Sequence, residues 1–307
     1  MSREKIIIKA SWIAIFGNAF LSVIKIVAGF LSGSLALIAD GIDSAGDILG
    51  SLITLITARI IARPPNLHHP YGYDKADTIA SKIVAFLILF AGAQLALSSF
   101  QRLLDAEYGA IPSPVAAIVV LVSIIGKQLL AKYLKNSGRK INSPMLLANA
   151  ENMQNDVFVS IAVLLGLIFT HVFNLPILDV GLALLVSIYI MVVATKIIIK
   201  SSKELMDGVD DPGLYAKILE AVGKISDAKN PHRLRVRKMA QYYVIALDIE
   251  IDGKKSLKEA HNIAHDVEDE IRRRIANIYD ILIHIEPEGA DRSHEPFGVS
   301  PTNLPTK

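Results

Sequence analysis

The sequence predicts an α-helical membrane protein with six transmembrane helices, followed by a cytoplasmic α+β domain. The chain has 307 residues, of which 52% are hydrophobic. Its mean hydropathy of +0.42 is too apolar for an ordinary soluble protein. The apolar residues are concentrated in runs between Ser11 and Lys200, whereas the chain after Asp210 is mixed and charged. The sequence is therefore divided into a membrane part and a smaller soluble part.

Six apolar runs are long enough to cross a bilayer, because a helical span needs about 20 mostly apolar residues. They cover residues 11–31, 34–62, 79–102, 113–135, 144–170 and 177–201. Lys and Arg residues collect at the N-terminus, after the second and fourth runs and after the sixth, while the loops of the opposite side carry only Arg102. The positive-inside rule then predicts that both termini are cytoplasmic. In a prokaryote the protein would lie in the cell (inner) membrane.

The charge and the cysteine count exclude some classes of protein. The formal net charge of +2 is too small to indicate a nucleic-acid partner. The chain contains no Cys, so a disulfide framework and a thiolate metal site are both excluded.

The soluble part predicts the order α-β-β-α-β over residues 207–288, after a membrane domain at 11–206 and a cytoplasmic N-terminus at 1–10. GLYAKILEAVGKI is amphipathic, HRLRVRK and YVIALDIEID alternate as strands, and DILIHIEPE is a closing strand. The second helix has Ser256 at its N-cap and Glu259 in the capping-box position. Residues 289–307 are rich in Pro and polar residues, which predicts disorder.

Two segments of matching pattern place polar side chains next to or inside apolar runs. They are ADGIDSAGD at 39–47 and ANAENMQND at 148–156. A charged side chain at mid-membrane costs at least about 2.5–3.5 kcal/mol, so these residues must face the bundle interior. Residues four apart lie on one face of a helix. Asp43 and Asp47 therefore form one pair of oxygen ligands, and Asn152 and Asp156 form another.

The two pairs also agree in depth. With a rise of about 1.5 Å per residue, Asp43 and Asp47 lie about 14 and 20 Å from the outer face. Asn152 and Asp156 lie about 12 and 18 Å from the inner face. In a hydrocarbon core about 30 Å thick, Asn152 is level with Asp47, and Asp156 with Asp43. Two antiparallel helices would bring the four oxygen donors together as a divalent-cation site.

Other polar residues in the spans are predicted to be structural. Lys25 and Asp40 lie at the same depth, about 9 Å from the outer face, and are expected to form an ion pair or local hydrogen bonds. Asn18 and Asn149 are expected to form hydrogen bonds between helices.

These motifs, in this order, resemble the cation diffusion facilitator family of metal transporters. The resemblance rests on SGSLALIADGIDSAGD, HHPYGYDKAD, ANAENMQNDV, the LMD at 205–207 and the tail pattern, and it covers nearly the whole chain. It implies a homodimer in the lipid bilayer with a metallochaperone-like, ferredoxin-like cytoplasmic domain. It also implies a transporter rather than an enzyme, which exports divalent metal by alternating access, usually with protons as the counter-ion.

The site residues favour Mn²⁺ as the exported metal. Zinc members of the family commonly have His at the first position of one or both pairs, where this chain has Asp43 and Asn152. Imidazole suits Zn²⁺, while carboxylate and carbonyl oxygens suit Mn²⁺. The site thus resembles the manganese-type branch, with Zn²⁺, Fe²⁺, Co²⁺ and Cd²⁺ as alternatives. Because three nearby carboxylates do not all stay ionised in a low dielectric, Asp43, Asp47 and Asp156 are also candidate proton carriers.

The resemblance implies further sites outside the spans. In the tail, the family's metal ligands fall on His232, Asp248, His261, His284 and Glu286. In the loop before the third span, His69 matches one ligand of a second site, but Asn66 and Tyr73 replace two others, so no strong site is expected there. Lys75 and Asp207 match a pair that couples the membrane part to the tail.

The tail residues also have a simpler interpretation. Strand alternation places Asp248 and Glu250 together, opposite the apolar face of their strand. They could belong to a solvated surface with ordinary histidines.

Two other classes of function remain as alternatives. A dimeric metal sensor or scaffold would keep the same fold without transport. An intramembrane enzyme would need a catalytic motif, and the sequence contains neither H-E-x-x-H nor G-x-S-x-G.

Overall fold

The computed structural model describes residues 3–73, 75–141, 143–209, 211, 213–239, 242–289 and 297–302. The chain forms two compact units, Met1–Ile199 and Lys200–Lys307. Each unit has its own architecture.

Six long helices form where the six apolar runs were predicted. They are α1 (Arg3–Ser32), α2 (Leu35–Ile61), α3 (Lys75–Leu104), α4 (Val115–Lys140), α5 (Pro144–Phe173) and α6 (Ile177–Leu205). The first helix starts eight residues before its predicted run, at Arg3 rather than residue 11. No Pro or Gly precedes Gly17 to stop the helix from extending toward the N-terminus.

Among the described residues, every one of these helices except α2 is long and apolar enough to cross a membrane. The exception, α2, carries Asp40, Asp43 and Asp47 but packs against α1, α3 and α5. Large apolar side chains face outward elsewhere, and Phe16 and Phe20 are each 66% exposed. Such surfaces suit lipid rather than water. The six helices are therefore the predicted transmembrane bundle, and α2 is the helix that carries three carboxylates in its first half.

A buried ion pair joins α1 to α2, as the depths of its two residues predicted. Lys25 Nζ lies 2.7 Å from Asp40 Oδ2, and neither side chain is more than 1% exposed. Ser160 of α5 donates to Asp40 and accepts from Lys25 at 2.9 Å, so the pair is hydrogen-bonded on both sides. The two helices approach closely at Gly41, where an added Cβ would lie 2.6 Å from Ile26.

A second polar contact joins the start of α2 to the start of α6. The Asp179 carboxylate accepts from Ser34 Oγ at 2.6 Å and from the Leu35 backbone N–H at 2.8 Å. Ser34 Oγ in turn accepts from the Leu37 N–H at 3.1 Å. Because the first N–H groups of a helix have no partner within it, Asp179 acts as an N-cap supplied by another helix.

The second unit has the predicted α-β-β-α-β order. Its elements are α7 (Gly213–Val222), β1 (Lys229–Met239), β2 (Tyr242–Ile251), α8 (Leu257–Arg274) and β3 (Ile278–Pro287). The sheet order is β1-β2-β3, with β2 antiparallel to β1 and parallel to β3. The capping box at Ser256 and Glu259 is present with both of its hydrogen bonds. The apolar core includes Ile218 and Ile245, both 0% exposed.

The interpretation of Asp248 and Glu250 as part of a solvated surface is wrong. They are 3% and 2% exposed. Side chains from the neighbouring strand β1 contact both carboxylates: Asn230 donates to Glu250 at 2.8 Å and Arg233 donates to Asp248. Gly289 donates its backbone N–H to the same carboxylate.

The expectation of disorder over residues 289–307 fails for one segment. Val299 and Leu234 exchange two backbone hydrogen bonds of 3.0 Å, which form an isolated antiparallel bridge. An added Cβ at Gly298 would clash with the backbone of Arg233, so the absence of a side chain allows this close approach. Residues 290–296 and 303–307 lie outside the described residues.

Candidate metal sites in the membrane and in the tail

A cavity of about 800 Å³ lies inside the helix bundle. Its lining residues come from α1, α2, α3, α5 and α6, and they include Asp43, Asp47 and Asn152. The cavity extends between these polar groups and the level of Ile8 in α1 and Ile197 in α6. Three of the four predicted ligands therefore line one cavity whose other end lies near the start of α1 and the end of α6.

The two predicted ligand pairs meet across the interface between α2 and α5. Asn152 Nδ2 donates to Asp47 Oδ1 at 3.2 Å. This contact agrees with the equal depths predicted for the two residues. The amide oxygen and the carboxylate are thus close enough to contribute ligands to one ion.

The fourth predicted ligand, Asp156, is 9% exposed and is not among the residues that line the cavity. It connects to the group through Lys127 of α4. Lys127 Nζ lies 2.8 Å from Asp156 Oδ2 and 3.9 Å from Asp47 Oδ2. The Lys127 side chain is 0% exposed.

Sequence reasoning missed Lys127. At about 1.5 Å per residue it lies about 21 Å from the outer end of the fourth run, level with Asp47. The depth comparison that paired Lys25 with Asp40 would have found it.

Within the described part of the chain, Asn18 does not form the hydrogen bond between helices that was predicted for it. It is 6% exposed and lines the cavity, as does Asn149. Among the described residues, Asn18 Oδ1 has no hydrogen-bond partner. Instead of joining two helices, this amide oxygen adds to the polar lining of the cavity.

The remaining walls of the cavity are mostly apolar. From α3 they include Val84 and Ile88, and from α6 they include Ile190 and Val193. Met153, next to Asn152, is 3% exposed and packs in an apolar cluster with Ala10 and other residues.

In the tail, three of the five predicted ligands come together. His232, Asp248 and Glu286 each offer one ligand atom, and these atoms lie within 4.8 Å of one another. His232 pairs with Asp248 in the register of β1 and β2, while Glu286 lies on β3. Arg233 Nη1 donates to Asp248 Oδ2 at 2.7 Å and partly neutralises the group.

The other two predicted tail ligands lie outside this group of three. The His284 side chain is 62% exposed, with Nε2 3.6 Å from Glu286 Oε1. His261 is exposed on α8, where its ring lies 4.5 Å from that of His265. Both are close to the chain surface rather than buried beside His232.

The loop before α3 is occupied by contacts among its own side chains. Asn66 Nδ2 donates to Tyr73 Oη at 2.7 Å, and the ring of His69 lies 4.3 Å from that of Tyr73. Asp74 lies outside the described residues. Lys75 and Asp207 belong to different units, so their pairing stays a prediction.

Comparison with known proteins gives two matching family models. Residues 11–206 match the cation efflux transmembrane domain. Residues 211–288 match the cytoplasmic domain of cation efflux proteins.

Whole-length relatives come from Bacillus subtilis (strain 168). The manganese efflux system protein MneP is 27% identical, and the matched region covers 93% of this chain and 97% of MneP. The manganese efflux system protein MneS is 30% identical, and the matched region covers 90% of this chain and 93% of MneS. Among solved structures, the metal-bound C-terminal domain of the CzcD transporter from Thermotoga maritima is 37% identical. It covers 25% of this chain and 91% of its own, with a TM-score of 0.25.

Proposed function

The chain belongs to the cation efflux family, and from that premise we propose that it exports Mn²⁺ through a site formed by Asp43, Asp47, Asn152 and Asp156. As a family member it is a multi-pass membrane transporter of metal cations with a cytoplasmic C-terminal domain, and not an enzyme. The observation that carries the proposal is the contact between Asp47 and Asn152 at the cavity.

The choice of Mn²⁺ rests on the chemistry of the four side chains. All four offer oxygen, and none offers the imidazole nitrogen that favours Zn²⁺. The two Bacillus relatives described above carry manganese in their names, which supports the same choice. Zn²⁺, Fe²⁺, Co²⁺ and Cd²⁺ remain the alternative cargoes.

We further propose that the protein works by alternating access with protons as the counter-ion. Because α6 leads into the cytoplasmic domain, the cavity extends toward the cytoplasmic end of the bundle. Metal would reach Asp47 and Asn152 from that side. Carboxylate ligands must be deprotonated to bind metal, so loading would release protons from Asp43, Asp47 and Asp156.

The tail is proposed to bind metal and to form a homodimer. His232, Asp248 and Glu286 combine one nitrogen and two oxygen donors in a buried group, which suits a divalent transition metal. His261 and His284 are proposed as additional ligands, because both are accessible at the surface. Both termini are proposed to be cytoplasmic, and in a prokaryote the transporter would lie in the cell membrane.

The test is uptake of Mn²⁺ and Zn²⁺ into proteoliposomes by the wild type and by Asn152→His. We expect the wild type to prefer Mn²⁺ and the variant to gain Zn²⁺ uptake, because the variant adds an imidazole to the site. Asn155→His is the matched control, since Asn155 is exposed on the same helix. Equal Zn²⁺ and Mn²⁺ uptake by the wild type would refute the preference for manganese.

The same assay separates the transporter from a sensor or scaffold. A sensor would bind metal without moving it across the bilayer. Absence of uptake by a correctly folded wild type, for every divalent cation tested, would therefore favour that alternative.

A further inference from the structure

The side chain of Lys127 is a buried cation that contacts two of the four proposed metal ligands. Its ammonium lies 2.8 Å from Asp156 and 3.9 Å from Asp47, and the side chain is 0% exposed. We propose that Lys127 is a built-in competitor of the exported divalent cation, which weakens the hold of the site on its metal. This inference rests on the proposed transport site.

The competition follows from shared oxygen atoms. A small divalent cation binds carboxylate oxygen at about 2 Å, which is closer than the contact of an ammonium. A metal held by Asp156 Oδ2 and Asp47 would lie within a few ångströms of the Lys127 ammonium, and the two cations would repel strongly in the membrane interior. Metal binding therefore requires that Lys127 gives up at least one of these contacts.

Charge balance supports the same role. Once Asp43, Asp47 and Asp156 are all deprotonated, as metal binding requires, they offer three negative charges, and Lys127 reduces their sum to the two that a divalent cation neutralises. A site without Lys127 would bind metal more tightly and would release it more slowly. Lys127 thus favours turnover over affinity.

The chain contains a matched control for this idea. Lys25 is also a fully buried lysine in an ion pair, with Asp40 at 2.7 Å. Its other hydrogen bonds are with Ser44 and Ser160, and its charge acts on the proposed ligand Asp43 only at longer range. Replacing either lysine by Met removes one buried ammonium from its carboxylate partner, but the Lys127 variant should alter the metal affinity more, because Lys127 directly contacts proposed ligands.

The experiment measures Mn²⁺ binding to the purified full chain and Mn²⁺ uptake into proteoliposomes. Every protein in the binding measurement, including the reference, also carries His232→Ala, so that metal binding at the proposed tail site is weakened and the Kd reports the membrane site. For Lys127→Met we expect the Kd and KM for Mn²⁺ to fall by about tenfold or more, with a lower kcat, because a charge about 4 Å away is removed. Lys127→Arg keeps the charge and should stay near the wild-type Kd. Lys25→Met should lower the Kd much less than Lys127→Met does, since its direct partner Asp40 lies outside the proposed ligand set and it acts on Asp43 only at longer range.

An unchanged or higher Kd in Lys127→Met would overturn the proposal. Where Lys127→Met does not fold, Lys127→Gln takes its place, with the same expectation and the same refuting result. Asp156→Ala separates this failure from a failure of the transport site. If Asp156→Ala loses Mn²⁺ binding while Lys127→Met is unchanged, only the competition is wrong. If Asp156→Ala binds Mn²⁺ as the wild type does, the proposed site is wrong as well.

Discussion

Replacing Asp179 by Ala should destabilise the helix bundle strongly, although Asp179 is not a proposed ligand. Its carboxylate accepts from Ser34 Oγ at 2.6 Å and from the Leu35 N–H at 2.8 Å, and the residue is 2% exposed. Hydrogen bonds to charged groups contribute about 1.5–3 kcal/mol each. Loss of both hydrogen bonds leaves two buried donors without an acceptor. We expect this to lower the free energy of unfolding by about 3–5 kcal/mol.

The assay is thermal unfolding of the detergent-purified protein. For a domain of this size, about 1 kcal/mol corresponds to about 2–4 °C in Tm, so a decrease of about 6–20 °C is expected. Ser187→Ala is the control, because Ser187 is buried in the same helix and donates to Ala183 O of its own helix at 2.6 Å. That carbonyl keeps its backbone bond, so the control should lose less than about 1 kcal/mol. Equal Tm values for the two variants would refute the role of Asp179 as a cap between helices.

Three further predictions concern the metal sites and the tail. Asp156→Ala should abolish Mn²⁺ uptake while Tm and monodispersity show that it folds; full uptake would contradict the proposed site. In an Asp156→Ala background, His232→Ala should weaken the remaining metal binding by at least about tenfold, as measured by titration, because it removes one of three ligands; unchanged binding would mean that the tail site lies elsewhere. The hydrogen bond from Arg274 lowers the pKa of Glu270 below the ordinary value of 4.5. The wild type should therefore be more stable than Glu270→Gln above that value, and the difference should disappear as the pH falls through the lowered pKa. A pH-independent difference in Tm would contradict this.

The contact between the two predicted ligand pairs could be predicted from the sequence because the geometry of each pair is set within a single helix. The spacing of four between Asp43 and Asp47 fixes a common face, and the rise per residue fixes their depth. Depth comparison then predicted the Asp47–Asn152 contact and the Lys25–Asp40 pair. The capping box at Ser256 was predictable for the same reason, since it depends on four consecutive residues.

Features that depend on three or more elements were not predicted. Lys127 belongs to α4, while its carboxylate partners lie on α2 and α5, and its run offers no acidic residue that would suggest a pair. The burial of Asp248 was missed because alternation describes two faces of a strand but not what covers each face. In this sheet, side chains from the start of β1 contact the carboxylates on the polar face of β2.

The cavity in the membrane has one polar side and one mostly apolar side. Its carboxylate and amide linings come from α1, α2 and α5, whereas α3 and α6 contribute Ser81 and otherwise apolar side chains. The oxygen and amide groups of the cavity and most of its apolar wall therefore belong to different surfaces. Substitutions such as Asn152→His change the coordinating atoms, while substitutions such as Ile190→Val change the width of the passage. A lineage of such transporters could thus acquire a new cargo through a few changes on α2 and α5, without changing the apolar wall formed by α3 and α6.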